Sequence, residues 1–67
     1  MTYRIELERE SDGRWLGEVP SLSGVMTYGA TRDEAMARVQ ALALRVIAER
    51  LEHGEANPKL QITFQAA

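Results

Sequence analysis

The 67-residue chain contains no cysteine and a single histidine, His53. The first absence removes disulfides and every cysteine-bearing zinc site, and the second removes any histidine-rich metal centre. Long apolar runs are missing too. Ala41-Leu42-Ala43-Leu44 is the longest, far below the ~20 residues of a membrane-spanning helix. The first residues, Met1-Thr2-Tyr3-Arg4-Ile5-Glu6, have neither the apolar segment nor the small-residue cleavage site of a secretion signal. A cytoplasmic protein without membrane attachment is therefore expected. There is no surplus of basic residues: eight Lys and Arg stand against ten Asp and Glu, for a net charge of −2 and a pI near 5.3. That balance argues against autonomous nucleic-acid binding, which needs a basic patch.

What is present is ordinary for one soluble domain spanning 1–67. Hydrophobic residues make up 45% and charged residues 27%, enough apolar content to exclude intrinsic disorder. A chain this short buries only about 60% of its unfolded surface. Without disulfide or metal to compensate, association with itself or with another protein is the expected source of extra stability.

Residues alternate from Tyr3 to Glu10, with Tyr3, Ile5 and Leu7 on one side and Arg4, Glu6, Glu8 and Glu10 on the other. A period of two marks a strand with one buried and one wet face. Asp12-Gly13 predicts a tight hairpin in which both central residues take positive φ. A second strand over Arg14–Val19 follows and is closed by Pro20, which cannot donate to a ladder. Ser21-Leu22-Ser23-Gly24 reads as a turn and Val25-Met26-Thr27-Tyr28 as a third strand. Thr31-Arg32-Asp33-Glu34 is a capping box, in which the Thr31 hydroxyl accepts from the Glu34 amide and the Glu34 carboxylate reaches back to the Thr31 amide. The helix should start at Arg32 and run to about His53, stopped by Gly54 in the left-handed conformation. Alternation then resumes, with Leu60, Ile62 and Phe64 against Lys59, Gln61, Thr63 and Gln65, predicting a fourth strand.

The order β-β-β-α-β defines an α+β fold. A helix of roughly 33 Å (1.5 Å per residue) returns the chain across the sheet, and a right-handed crossover then sets the fourth strand parallel to the first on its free edge, giving order 3-2-1-4. The helix covers the Tyr3, Ile5, Leu7 face. On the helix, Ala35, Val39, Ala43, Val46 and Ile47 form one apolar stripe bordered by Met36 and Leu42. A second strip, Ala37, Ala41, Leu44 and Ala48, lies elsewhere on the cylinder. Its functional reading is an oligomer interface; otherwise the alanines serve only as helix formers around an exposed leucine. Glu34–Arg38 and Arg45–Glu49 stand at favourable i,i+4 spacing.

Candidate chemistry is sparse. Glu6, Glu8, Glu10 and Glu18 mark an acidic sheet face. Same-face strand neighbours lie roughly 7 Å apart, too far for easy convergence on one cation, so no metal site is assigned. An acidic surface for a basic protein partner fits better. His53 falls at the helix C-terminus, where imidazolium interacts well with the dipole, and no serine or cysteine nucleophile is placed to use it. Trp15 and Tyr28 could stack on a ligand, although a strand tryptophan in so small a domain suits core or interface. Gly13, Gly17, Gly24 and Gly29 are scattered among turns and strand ends and do not form a phosphate-cradling run. Neither catalytic nor cofactor-binding residues are expected.

The stretch from Asp12 to Ala35, with Trp15 after the hairpin, Glu18-Val19-Pro20-Ser21-Leu22-Ser23-Gly24 as the turn, Gly29, and Thr31-Arg32-Asp33-Glu34-Ala35 opening the helix, resembles the HicB-like antitoxin family. The resemblance extends from about Tyr3 to Phe64. It implies a β-β-β-α-β, partial RNase-H-like fold without nuclease activity, and a role in binding and neutralising a small HicA-like toxin, a basic mRNA-cleaving ribonuclease. Ser23 replaces the proline common at that position. Full-length relatives usually add a C-terminal DNA-binding domain, and a short, single-domain member without that domain is expected here. Competing expectations are an orphan homo-oligomer that scaffolds or binds a small ligand, and a residual nuclease using the strand glutamates.

Overall fold

The computed structural model describes residues 1–66. The elements are β1 (Thr2–Arg9), β2 (Trp15–Glu18), β3 (Met26–Gly29), α1 (Arg32–Glu52) and β4 (Thr63–Ala66). They form one four-stranded mixed sheet in the order β3-β2-β1-β4, with β1 antiparallel to β2 and parallel to β4. The expected α+β topology and strand order are therefore observed. No helix among the described residues is long and apolar enough to cross a membrane.

The β1–β2 turn differs from expectation. Gly13 is left-handed (φ 91°) whereas no non-glycine residue among those described has positive φ, so Asp12 does not join it. The Glu10 N–H donates to Arg14 O (2.7 Å) and the Gly13 N–H to Glu10 O (3.0 Å). The loop is thus three residues long, the form in which one left-handed glycine closes the hairpin. Asp12 uses its side chain instead, accepting the Arg14 N–H on Oδ1 at 3.0 Å, the local bond that makes aspartate a turn residue.

Between β2 and β3 the backbone folds through Val19 N–H to Val25 O, Leu22 N–H to Val19 O and Val25 N–H to Leu22 O. This seats Val19, Leu22 and Val25 in the core. Leu22, inside a stretch read as a turn, is only 3% exposed.

Helix α1 starts as its capping residues dictate, the Glu34 N–H donating to Thr31 Oγ1 at 3.0 Å. The reciprocal half differs. Glu34 Oε1 accepts from the Ala30 N–H (3.0 Å), not from Thr31, and lies 3.3 Å from Arg38 Nη2. One oxygen thereby serves the incoming chain and the i,i+4 ion pair together. Arg45 and Glu49 form no corresponding pair among the described residues. At the other end Gly54 (φ 71°) donates to Leu51 O and Glu55 to Arg50 O, the paired bonds of a Schellman stop. His53 is the C-cap, one residue beyond the helix.

Ala35, Val39, Ala43 and Ile47 are the buried helix positions, the last three in the core cluster with Tyr3 and Ile5. The approach is close because two strand glycines permit it. A Cβ on Gly17 would meet Ala35 O at 3.0 Å and Val39 at 3.2 Å; on Gly29 it would meet Ala35 N at 2.4 Å. Those glycines are packing residues, not strand-end punctuation.

The fourth strand starts later than expected. Its register places Thr2 opposite Thr63, with the Thr63 N–H on Met1 O (2.9 Å). Leu60 and Ile62 lie upstream of the first residues of β1, have no strand to pair with, and serve as half-buried packing for the core.

Candidate functional site

One helix covers one face of the sheet, and no element among the described residues covers the other. Strand alternation and cross-strand register set what that open face carries. Glu6 stands opposite Glu18, which stands opposite Met26; Glu8 stands opposite Leu16, which stands opposite Tyr28. Beyond β1, Glu10 meets Arg14 at the base of the hairpin. The face therefore has two columns. An acidic one runs along β1 and takes in Glu18. An apolar one crosses β2 and β3 through Leu16, Met26 and Tyr28, the last two 47% and 40% exposed.

Three of the four expected acidic residues, Glu6, Glu8 and Glu18, are thus brought together, and Glu10 sits at the corner. Glu6 is partly neutralised by Arg4 Nη2 at 2.6 Å. Like charges directly opposed across a ladder are destabilising, so the Glu6–Glu18 pair is a choice that folding alone does not favour. Among the described residues no three acidic or histidine side chains come close enough to hold a metal ion.

Two arginines border the face. Arg14 lies over the Tyr28 ring, 4.3 Å from its centroid, and places Nε 2.7 Å from Asp12 Oδ2. The Arg14 backbone N–H is the first cause, and its guanidinium hydrogen bond the second, of an Asp12 carboxyl held below its ordinary 3.8. Tyr28 accordingly presents one ring face to a guanidinium. Trp15 is half-buried and pairs with Gly29, which puts it on the helix side of the sheet. His53 is exposed at the far end of the helix, its Nδ1 2.9 Å from the Glu49 carbonyl oxygen.

The second helix strip lies in the opposite layer. Ala37 and Ala48 are exposed, Ala41 is half-buried and Leu44 is 47% exposed, with Leu51 (39%) extending the row. Leu16, Met26 and Leu51 escaped the sequence reading. Alternation within the third strand carried the signal for Met26, but a four-residue strand with polar and apolar residues on both faces does not say which face is wet.

Comparison with known proteins gives one informative relative. The chain is 33% identical over 60 residues to UPF0150 protein Ta0767 of Thermoplasma acidophilum, covering 88% of this chain and 86% of that protein. No family model matches the chain. No solved structure matches it.

Proposed function

This chain belongs to the UPF0150 family, and from that premise we propose that it is a non-enzymatic, cytoplasmic antitoxin-type module of the HicB-like kind, which neutralises a small basic HicA-like toxin by direct binding. The observation that carries the reading is the uncovered sheet face, where Glu6, Glu8 and Glu18 lie beside Leu16, Met26 and Tyr28. The three glutamates outnumber the arginines that border them, Arg4 on Glu6 and Arg14 on Tyr28, and an acidic row beside apolar anchors suits a basic partner: the charge speeds encounter and the apolar column holds the complex. The motif run from Asp12 to Ala35 points the same way. The test is co-expression with a neighbouring basic protein of about 60 residues that arrests growth alone. Rescue by the native chain and loss of rescue by a Glu6→Lys, Glu8→Lys, Glu18→Lys variant that still folds would support the reading. Rescue that survives the triple reversal would remove the acidic face from it.

A second reading, a homo-oligomeric scaffold or small-ligand-binding domain, is favoured by the helix strip Ala37, Ala41, Leu44 and Ala48, in which Ala37, Leu44 and Ala48 are exposed and Ala41 is half-buried. Leu44→Glu would bury charge against apolar surface if that strip joins two copies. The mass in solution should then fall to that of the monomer; an unchanged mass sinks the interface.

A further inference from the structure

Strand β3 is an edge strand, and α1 runs beside it. The Val19 N–H to Val25 O bond and the β2–β3 register place residues 25, 27 and 29 as the inward-bonding positions, so Met26 and Tyr28 turn their backbone groups outward. Two of those groups are engaged locally: the Met26 N–H with Gly24 O (3.2 Å) and Tyr28 O with Arg38 Nη1 (3.0 Å). The Met26 carbonyl and the Tyr28 N–H face away from the sheet. Immediately beside this edge, Thr27, Arg38, Ala41, Leu42 and Arg45 line a groove of about 370 Å³ between β3 and the helix.

We propose that this groove binds an extended acidic peptide segment of a partner protein, which adds to β3 as a fifth strand and sets a carboxylate between Arg38 and Arg45. An added strand would find two open backbone groups, the Met26 carbonyl and the Tyr28 N–H, and its alternate side chains would fall on the Thr27 side, into the groove. The floor there is small and apolar, Ala41 and Leu42, and both charged lining residues are guanidiniums, the groups best shaped for carboxylates. Arg38 is shared with Glu34 and Tyr28 O, while Arg45 makes no ion pair among the described residues. The sign is opposite to that of the open face, so this occupant is distinct from the basic partner proposed above, and the two bindings fail independently.

The experiment is a titration of the full, isotopically labelled chain with a capped peptide of about eight alternating Glu and Thr residues, followed by amide chemical shifts, with a Lys-Thr peptide as control. Saturable shifts confined to 26–29 and 38–45, no binding of the control, and affinity lower by about tenfold in Arg45→Glu are expected. Arg45→Glu leaves the core untouched, so its native spectrum and its toxin rescue should persist. Failure to saturate at millimolar peptide, equal binding of the Lys-Thr control, shifts on the open face, or full affinity in Arg45→Glu would each overturn the proposal, leaving the two arginines as guards against edge-to-edge pairing.

Discussion

Replacing Gly29 by alanine tests how closely the helix sits on the sheet. The added methyl would stand 2.4 Å from Ala35 N and 2.9 Å from both Ala35 Cα and Glu34 C, all backbone atoms. Real Cβ atoms do not approach below 3.0 Å, so the first turn of α1 must lift away from β3. That turn is tied to the end of β3: the Ala30 N–H donates to Glu34 Oε1 and Arg38 Nη1 to Tyr28 O, both at 3.0 Å. Lifting it withdraws Ala35 and Val39, each fully buried, from their seats over the sheet. Overpacking of this kind costs about 2–3 kcal/mol. A chain of this length has a total stability of only ~3–10 kcal/mol. At about 4–8 °C per kcal/mol the melting temperature should drop by roughly 10–20 °C. Gly13→Ala is the matched control, since φ is 91° and nothing lies within 4 Å of the new methyl. It should lose only the left-handed backbone penalty, about 1–2 kcal/mol. Urea unfolding followed by Trp15 fluorescence measures both. A Gly29→Ala loss below about 0.5 kcal/mol, or one smaller than that of Gly13→Ala, would refute the close approach.

Glu18→Gln should raise stability by about 0.2–1 kcal/mol, because it removes the like charge opposite Glu6, while weakening capture of a basic partner; thermal melts with and without that partner check both signs, and a destabilised variant would refute the opposition. The Asp12 carboxyl is held below its ordinary value by the Arg14 N–H and then by the Arg14 guanidinium. A group whose folded pKa is depressed contributes stability that is complete at neutral pH and is lost as pH falls through the acid range below the unfolded value. Asp12→Asn should therefore flatten the acid limb of a denaturation series run from pH 7 to 2; identical limbs in the two proteins would exclude Asp12 from acid sensitivity.

Much of the fold was legible because the local signals agree with one another. Alternation at Tyr3, Ile5 and Leu7, the Thr31 cap, the Gly54 stop and the handedness of the crossover each restrict the chain independently, and together they leave one topology. What was not legible depended on atoms far apart in sequence. Gly17 and Gly29 look like weak strand residues until the helix backbone is seen 2.4 Å from where a Cβ would stand. Leu22 looks like a turn residue until Val19 and Val25 close around it. The late start of β4 follows from where β1 begins, a relation between the two ends of the chain that no local window contains.

The candidate site was half legible for a related reason. Its charges could be read from period-two spacing within β1, but its apolar column lies across β2 and β3 and emerges only from register. Register also changes what the charges mean. Glu6 and Glu8 alone would be a solvated strand face of no consequence. Glu18 directly opposite Glu6 is a pairing that opposes folding, and Leu16, Met26 and Tyr28 beside it leave apolar surface in water. The first lowers the stability of a domain with little to spare, the second leaves apolar burial unused, and both are answered by the same event, the arrival of a basic surface with an apolar centre. The two effects should therefore be coupled: removing the Glu18 charge strengthens the free protein and weakens its complex, whereas a purely structural glutamate pair would move the first and leave the second unchanged.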